Sequence, residues 1–150
     1  MSRILEIYNA LESELKVHAE FTGYKFFRSK NSKQAGKQDK STVPHMRLYF
    51  ESDVHLVNVK KNQQQKVARY IFETTFVAAS ADPDDISRVE EMEKKISAVE
   101  NSIYAGGQIL GLQFTQQFSV NASKQDNVEV KHISIQCDIE ISYIQQFLND

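Results

Sequence analysis

The segment from 133 to 143 constrains the fold more than any other part of the chain, because apolar and polar residues alternate along it without a break. Its apolar positions are Ile133, Ile135, Cys137, Ile139, Ile141 and Tyr143, and Ser134, Gln136, Asp138, Glu140 and Ser142 stand between them. A period of two places each set on one side of a β-strand. The alternation therefore predicts a strand with one face against a core, about ten residues long and so longer than usual.

A similar pattern precedes it and predicts the other arm of a hairpin. One face of this second strand carries Leu110, Leu112, Phe114, Gln116, Phe118 and Val120. The residues from 121 to 127 are polar and form the predicted turn. Val128 and Val130 are out of phase with the final strand, which indicates a bulge or bend near Lys131 and His132. A long C-terminal hairpin of this kind either crosses a large sheet or projects beyond it.

Further strand patterns lie in the first half of the chain. Residues 24–28 form a short aromatic run, Pro44 leads into an alternating strand over 46–50, and 54–59 is a separate apolar run. The polar residues 60–65 predict a turn. In the next strand, over 67–79, Tyr70, Phe72 and Phe76 share one face and Arg69, Glu73 and Thr75 share the other, as in a half-buried strand.

Two segments have helical spacing. The first places Ile4, Tyr8, Leu11, Leu15 and Ala19 on one face and stops at Gly23. The second has Asp82 as N-cap, Pro83 at the first helical position and Asp84 and Asp85 in the first turn. Its predicted core face is Ile86, Val89, Met92, Ile96, Val99 and Ile103, and Gly106 and Gly107 are its predicted stop.

Composition supports one globular domain over 1–150. The chain has 150 residues, of which 41% are apolar and 25% charged, enough material for one core. We expect an α+β fold with a single mixed or mostly antiparallel twisted sheet, two helices packed on one of its faces, and the long C-terminal β-hairpin.

The one long stretch without core residues is a polar loop at about 29–43, where no apolar residue is larger than Ala35. We expect it to be flexible, and loops of this length in compact domains are usually functional or disordered. Its lysines, Lys30, Lys33, Lys37 and Lys40, are the candidate contacts to phosphates or to an acidic protein surface. The segment has no aromatic residue to stack on single strands, and a soluble loop would have the same composition.

No constellation for catalysis or metal binding is visible. The four histidines, His18, His45, His55 and His132, fall on four different elements, and Cys137 occupies an apolar strand position. Asp82, Asp84 and Asp85 are accounted for by the start of a helix, and the glycines form no phosphate-binding fingerprint. We therefore expect no enzyme activity and no cofactor. A pocket lined by Phe72, Phe76, Phe114 and Phe118 is conceivable, but these positions are better explained as core.

Net charge and the N-terminal residues bear on the partners and the cellular location of the protein. A net charge of −2 gives no global attraction to nucleic acid or to an anionic membrane. The N-terminus gains a charge at Arg3 before any apolar run, so we expect neither a signal peptide nor a membrane anchor. The single cysteine excludes an internal disulfide. We therefore expect the protein to be produced in the cytoplasm.

At the level of element order and strand character, the chain resembles the tail terminator family of long-tailed bacteriophages and related tail-completion and head-to-tail joining proteins. The resemblance is carried by segments 4–19, 43–50, 67–79 and 130–143. It implies a structural protein of the virion, assembled in the bacterial cytoplasm, that forms a ring, typically hexameric, on the tail tube. Its partners would be the tube protein, a head or neck connector protein and, through the lysine loop, DNA. The alternative is a small nucleic-acid-binding domain that uses the basic segment 25–40.

Overall fold

Two helices and one sheet make up the described part of the chain, which in this computed structural model comprises residues 3–29, 44–60, 63–80, 82, 85–110, 113–121 and 132–146. The elements in order are α1 (Arg3–Val17), a 3₁₀ turn (Ala19–Phe21), β1 (Lys25–Phe27), β2 (His45–Lys60), β3 (Gln63–Val77), α2 (Ile86–Leu110), β4 (Gln113–Asn121) and β5 (His132–Gln146). The predicted α+β class is confirmed.

The described strands form one five-stranded sheet in the order β1-β2-β3-β5-β4. β1 runs parallel to β2, and the other neighbouring pairs are antiparallel, so the sheet is mixed and mostly antiparallel. The alternating C-terminal segment, β5, has a neighbour on each side and pairs with β3 over its whole length. The described parts of both arms of the predicted C-terminal hairpin therefore lie within the sheet. The residues that indicated a bulge, 128–131, lie outside the described part.

The β2–β3 pair is longer than the sequence predicted. Residues 46–50 and 54–59 belong to one strand of 16 residues, in which the register shifts at Phe50/Ser52, His55/Val57 and Asn58/Lys60. The predicted turn over 60–65 is also too long, because Gln63, Gln64 and Gln65 pair with both β2 and β5. Backbone hydrogen bonds on both sides hold these residues in the strand despite their polar side chains.

The core lies between one face of the sheet and both helices. The sheet contributes buried side chains that include Met46, Leu48, Tyr70, Phe72, Cys137, Ile139 and Ile141, and the helices contribute Ile7, Leu11, Leu15, Val99 and Ile103. Two tyrosine hydroxyls fasten α1 to the sheet. Tyr8 donates to the Leu48 carbonyl at 2.7 Å and Tyr70 donates to the Ile4 carbonyl at 2.8 Å. The helices thus cover one face, as predicted.

The inward face of α1 differs from the prediction at three positions, Ile7, Glu12 and Ala19. Ile7 is 1% exposed and belongs to the core, although it was not among the predicted core residues. Ala19 is exposed because the α-helix ends at Val17 and the chain continues as the 3₁₀ turn. The turn buries Phe21 instead, which packs edge-on against Phe72 with a centroid distance of 5.9 Å.

Both predicted ends of the second helix were wrong. α2 begins at Ile86, and the side chain that caps it is Asp85, whose Oδ1 accepts from the Ser87 amide at 3.0 Å. The Asp82 carbonyl accepts from the Asp85 amide, and the Asp82 amide donates to Ser80 Oγ at 3.1 Å. Ile86 and Val89, which were predicted to face the core, are 70% and 41% exposed.

At its other end, α2 continues through Gly106 to Leu110. A Cβ at Gly106 would lie 3.3 Å from Leu11 Cδ2 and 3.5 Å from the Ala10 backbone. The glycine therefore permits a close approach of α2 to α1 rather than ending the helix.

Candidate assembly surfaces

The four candidate lysines, Lys30, Lys33, Lys37 and Lys40, lie outside the described residues, and their role stays a prediction. The structure does describe both ends of the segment that carries them. β1 and β2 are parallel neighbours, with Lys25 opposite His45, and the Lys25 amide donates to the Pro44 carbonyl at 3.3 Å. Parallel neighbours need a crossover connection of about a dozen residues or more. Topology thus explains the length of the connection, but not its lysine content.

A buried carboxylate anchors the start of this connection. Glu12 is 6% exposed, and its Oε2 accepts from Arg28 Nη2 at 2.9 Å and from Lys16 Nζ at 3.2 Å. The hydrogen bond to Glu12 raises the pKa of the Arg28 guanidinium, which also lies over the Tyr8 ring at 5.9 Å. Arg28 therefore holds β1 to α1. The i,i+4 spacing of Glu12 and Lys16 was visible in the sequence, whereas the contact with Arg28 depends on the fold.

Helix α2 uses part of its charge internally and exposes the rest. Arg88 is 2% exposed and donates to the Ser80 carbonyl at 2.8 Å, and the Glu91 carboxylate accepts from the Ala79 amide. Lys95 is also used internally, because its ammonium donates to Glu20. The charged residues of α2 that remain exposed are Glu90, Glu93, Lys94 and Glu100, three acids against one base. The solvent side of α2 is consequently acidic.

The Lys95 ammonium lies among three aromatic rings. Its Nζ is 5.1 Å from the ring centroid of Tyr24, 5.3 Å from that of Phe76 and 5.7 Å from that of Phe21. It also donates to the carbonyl and carboxylate of Glu20, at 2.9 and 3.1 Å. Burial alone lowers the pKa of Lys95, but hydrogen bonds with Tyr24 and Glu20 outweigh it and raise the pKa. This cation ties α2 to the 3₁₀ turn and to β3.

On the sheet face opposite the helices, Arg47 and Tyr49 are buried, although they alternate along β2 with the core residues Met46 and Leu48. Arg47 is 7% exposed, its Nη1 donates to Glu73 Oε1 at 3.0 Å, and its guanidinium carbon lies 5.6 Å from the Phe27 ring centroid. The Tyr49 hydroxyl donates to Glu73 Oε2 at 3.3 Å. Burial, together with the Glu73 charge, raises the pKa of Tyr49 to about 12. These neighbours come from β1 and β3, so alternation within β2 could not reveal them.

A second polar cluster lies on the helix-covered face, beyond Tyr70. The Tyr143 hydroxyl lies 3.1 Å from both carboxylate oxygens of Asp53, and Lys66 Nζ lies 3.6 Å from Asp53 Oδ2. Burial and the hydrogen bond to Asp53 raise the pKa of Tyr143 to about 12. The cluster joins β2, β3 and β5 through side chains.

The prediction that the four histidines fall on four different elements was wrong, because His45 and His55 both lie on β2. His18 accepts from the Glu20 amide at Nδ1, the His45 ring lies 5.9 Å from Phe27, and His55 and His132 lie on β2 and β5. Within the described ranges, no group of three or more His, Cys, Asp or Glu side chains is placed to hold a metal ion. Cys137 is 0% exposed.

The aromatic positions considered for a pocket are partly described. Phe72 and Phe76 are buried in two different core clusters, and the side chains of Phe114 and Phe118 lie outside the description. A shallow groove of about 400 Å³ is lined by polar residues of α2 and the 3₁₀ turn, including His18, Glu90 and Glu93. It lacks the apolar lining typical of a small-molecule site.

The two edges of the sheet differ. At one edge, β1 covers β2 only over residues 45–47. At the other, β4 pairs with β5 from Gln113 to Asn121, and no further strand in the described ranges pairs with it.

No helix in the described ranges is long and apolar enough to span a membrane. Comparison with models of known protein families finds no match, and comparison with curated protein sequences finds none either. The arguments for a function therefore come from the surfaces described above.

Proposed function

We propose that this chain is a structural phage tail protein that forms a ring of about six copies on the end of the tail tube. The ring stops polymerisation of the tube protein and offers its opposite face to a head or neck connector protein. The mature location is the virion, after assembly in the host cytoplasm. No catalytic step and no cofactor are needed.

The acidic solvent side of α2 is the observation that carries the proposal. A ring closes through contacts between two different surfaces of identical subunits, so each subunit needs two complementary patches. The exposed acids Glu90, Glu93 and Glu100 lack enough basic neighbours on α2 to balance them, and the basic segment is attached at the β1 edge of the sheet. Opposite charges in separate parts of one subunit favour head-to-tail contact over random association.

A tube-growth assay tests the proposal directly. Tail-tube protein from the same genome is polymerised with and without the purified chain, and tube lengths are measured by negative-stain electron microscopy. We expect shorter tubes with one closed ring at an end. Unchanged tube lengths with no bound ring would contradict the proposed function. Arg69 and Glu140 form an exposed ion pair on the sheet, away from α2 and from the basic segment. The double variant Arg69→Ala/Glu140→Ala is therefore the control, and it should cap tubes as the wild type does.

A second experiment distinguishes the ring from the nucleic-acid-binding alternative. One variant replaces all four lysines of the basic segment by glutamine: Lys30, Lys33, Lys37 and Lys40. Binding of the wild type to duplex DNA is measured at two salt concentrations beside tube capping. Loss of a salt-sensitive DNA affinity with unchanged capping would favour the alternative. Loss of capping alone favours the ring.

A further inference from the structure

β4 is a regular and uncharged edge strand. Its nine residues, Gln113–Asn121, contain no charged residue, no proline and no glycine. Its pairing with β5 runs from Gln113 opposite Ser142 to Asn121 opposite Ser134 without a register shift. Within the described strands its other side has no partner, so alternate N–H and C=O groups along it point away from the sheet.

The opposite edge of the sheet carries the features that prevent strand addition. β1 has three residues, and β2 beyond it has three register shifts and the charged residues Glu51, Asp53 and Lys60. Short edge strands, bulges and charges are the usual protections of a sheet edge. The edge formed by β1 and β2 has all three of these protections. β4 has no charged residue and no register shift, so β4 is the edge that can receive another strand.

We propose that β4 pairs antiparallel with β4 of a second copy, about a two-fold axis at Gln117. In this register Gln113 stands opposite Asn121 and Thr115 opposite Ser119, so polar residues pair with polar residues. Phe114 and Val120, which are the register partners of Ile141 and Ile135 in β5, stand opposite each other. Opposite residues of an antiparallel pair share a face, so the alternation of β4 matches itself.

The pairing stops at two copies. A two-fold contact uses the same surface on both partners, and the remaining edges are the protected ones. The inference concerns the free chain and does not rest on the proposed function. A head-to-tail ring with two different faces has no such two-fold axis, so the pair would separate when a ring forms.

Disulfide trapping tests the register. In an antiparallel pair, opposite Cα atoms are about 4.5–5.5 Å apart, within reach of a disulfide. Gln117→Cys should give a covalent dimer under mild oxidation, because the two introduced thiols meet on the axis. Gln113→Cys is the matched control and should give little, since it faces Asn121. The native Cys137 is 0% exposed and should not contribute.

Sedimentation velocity gives the second readout. The wild type should sediment as a dimer at tens of micromolar, and Thr115→Lys/Gln117→Lys should be a monomer with an unchanged circular dichroism spectrum. A monomeric wild type, or cross-linking of Gln113→Cys as efficient as that of Gln117→Cys, would overturn the inference. Neither result bears on tube capping, which is measured separately.

Discussion

The Glu12 carboxylate is buried between α1 and β1, and two basic side chains form ion pairs with it. Lys16 belongs to the same helix, whereas Arg28 reaches it from the end of β1. The Glu12 side chain is 8% exposed and that of Arg28 is 68% exposed, so the acid bears most of the desolvation. Removing a partner of such an acid costs more than removing one member of an exposed pair.

Arg28→Ala should therefore lower the free energy of unfolding, by less than the loss of a fully buried pair would because Arg28 is largely exposed, but by more than the loss of a pair in which both partners are exposed. Urea unfolding at neutral pH measures it. The matched control is Arg69→Ala, which removes a contact to Glu140 between side chains that are 44% and 47% exposed. We expect that control to change stability by less than about 0.5 kcal/mol. Equal effects of the two substitutions would show that the burial of Glu12 does not matter.

Tyr49 and Tyr143 predict a loss of stability in alkali. The pKa of each hydroxyl is raised to about 12 in the folded protein, whereas an unfolded tyrosine titrates near about 10. Between these values the unfolded chain loses protons that the folded chain keeps, so stability is intact below pH 10 and falls as the pH rises towards 12. Urea midpoints measured from pH 8 to 11.5 should fall steeply above pH 10.

Substitution by phenylalanine identifies the groups responsible. Tyr49→Phe and Tyr143→Phe should each flatten the decline above pH 10, because each removes one of the coupled protons. Tyr104→Phe is the control, as Tyr104 is 56% exposed. A decline of equal slope in all three variants would assign the alkaline transition to other groups.

At the scale of elements, the position of α2 depends on Gly106. A Cβ there would be 3.3 Å from Leu11 Cδ2, so a methyl group requires Leu11 to move by a few tenths of an ångström. Helix propensity favours Ala over Gly by roughly 0.5–1 kcal/mol, which offsets that movement. We expect Gly106→Ala to stay within about 1 kcal/mol of the wild type, and Gly106→Leu to lose roughly 1–3 kcal/mol by overpacking.

Thermal and urea unfolding distinguish the two substitutions. Asn101→Leu, on the exposed side of the same helix, controls for the introduction of a large apolar residue. A Gly106→Leu variant as stable as Asn101→Leu would mean that α2 can move away from α1 without loss.

The elements also show what can be predicted from the sequence. β5 was predicted correctly because a period of two is a local property, and its buried face is the one expected. The start of α2 was misplaced because Asp82 and Asp85 both suit a cap, and only the backbone decides between them. Its end was misplaced because Gly106 is required by a contact with α1. The burial of Arg47 could not be predicted, because it depends on contacts with Phe27 and Glu73, which are distant in sequence.

At the scale of the whole molecule, the two assemblies inferred here use different surfaces. The proposed free pair uses the uncharged edge at β4, and the proposed ring uses charge carried by α2 and by the connection after β1. An uncharged strand pairing is insensitive to salt, whereas contacts between exposed charges weaken as ionic strength rises. Salt therefore separates the two assemblies: capping of tubes should decline in high salt while the free pair persists.

Charge reversal tests the ring contact in both directions. Glu90→Lys/Glu93→Lys/Glu100→Lys and Lys30→Glu/Lys33→Glu/Lys37→Glu/Lys40→Glu should each weaken tube capping, because each places like charges across the subunit contact. Exposed pairs contribute roughly 0.2–1 kcal/mol each, so three of them correspond to about a 3- to 150-fold change in affinity. Combining the two reversals in one chain restores opposite signs and should recover most of the capping. If the combined variant is as weak as either parent, the acidic helix and the lysines do not face one another, and the ring must close through other surfaces.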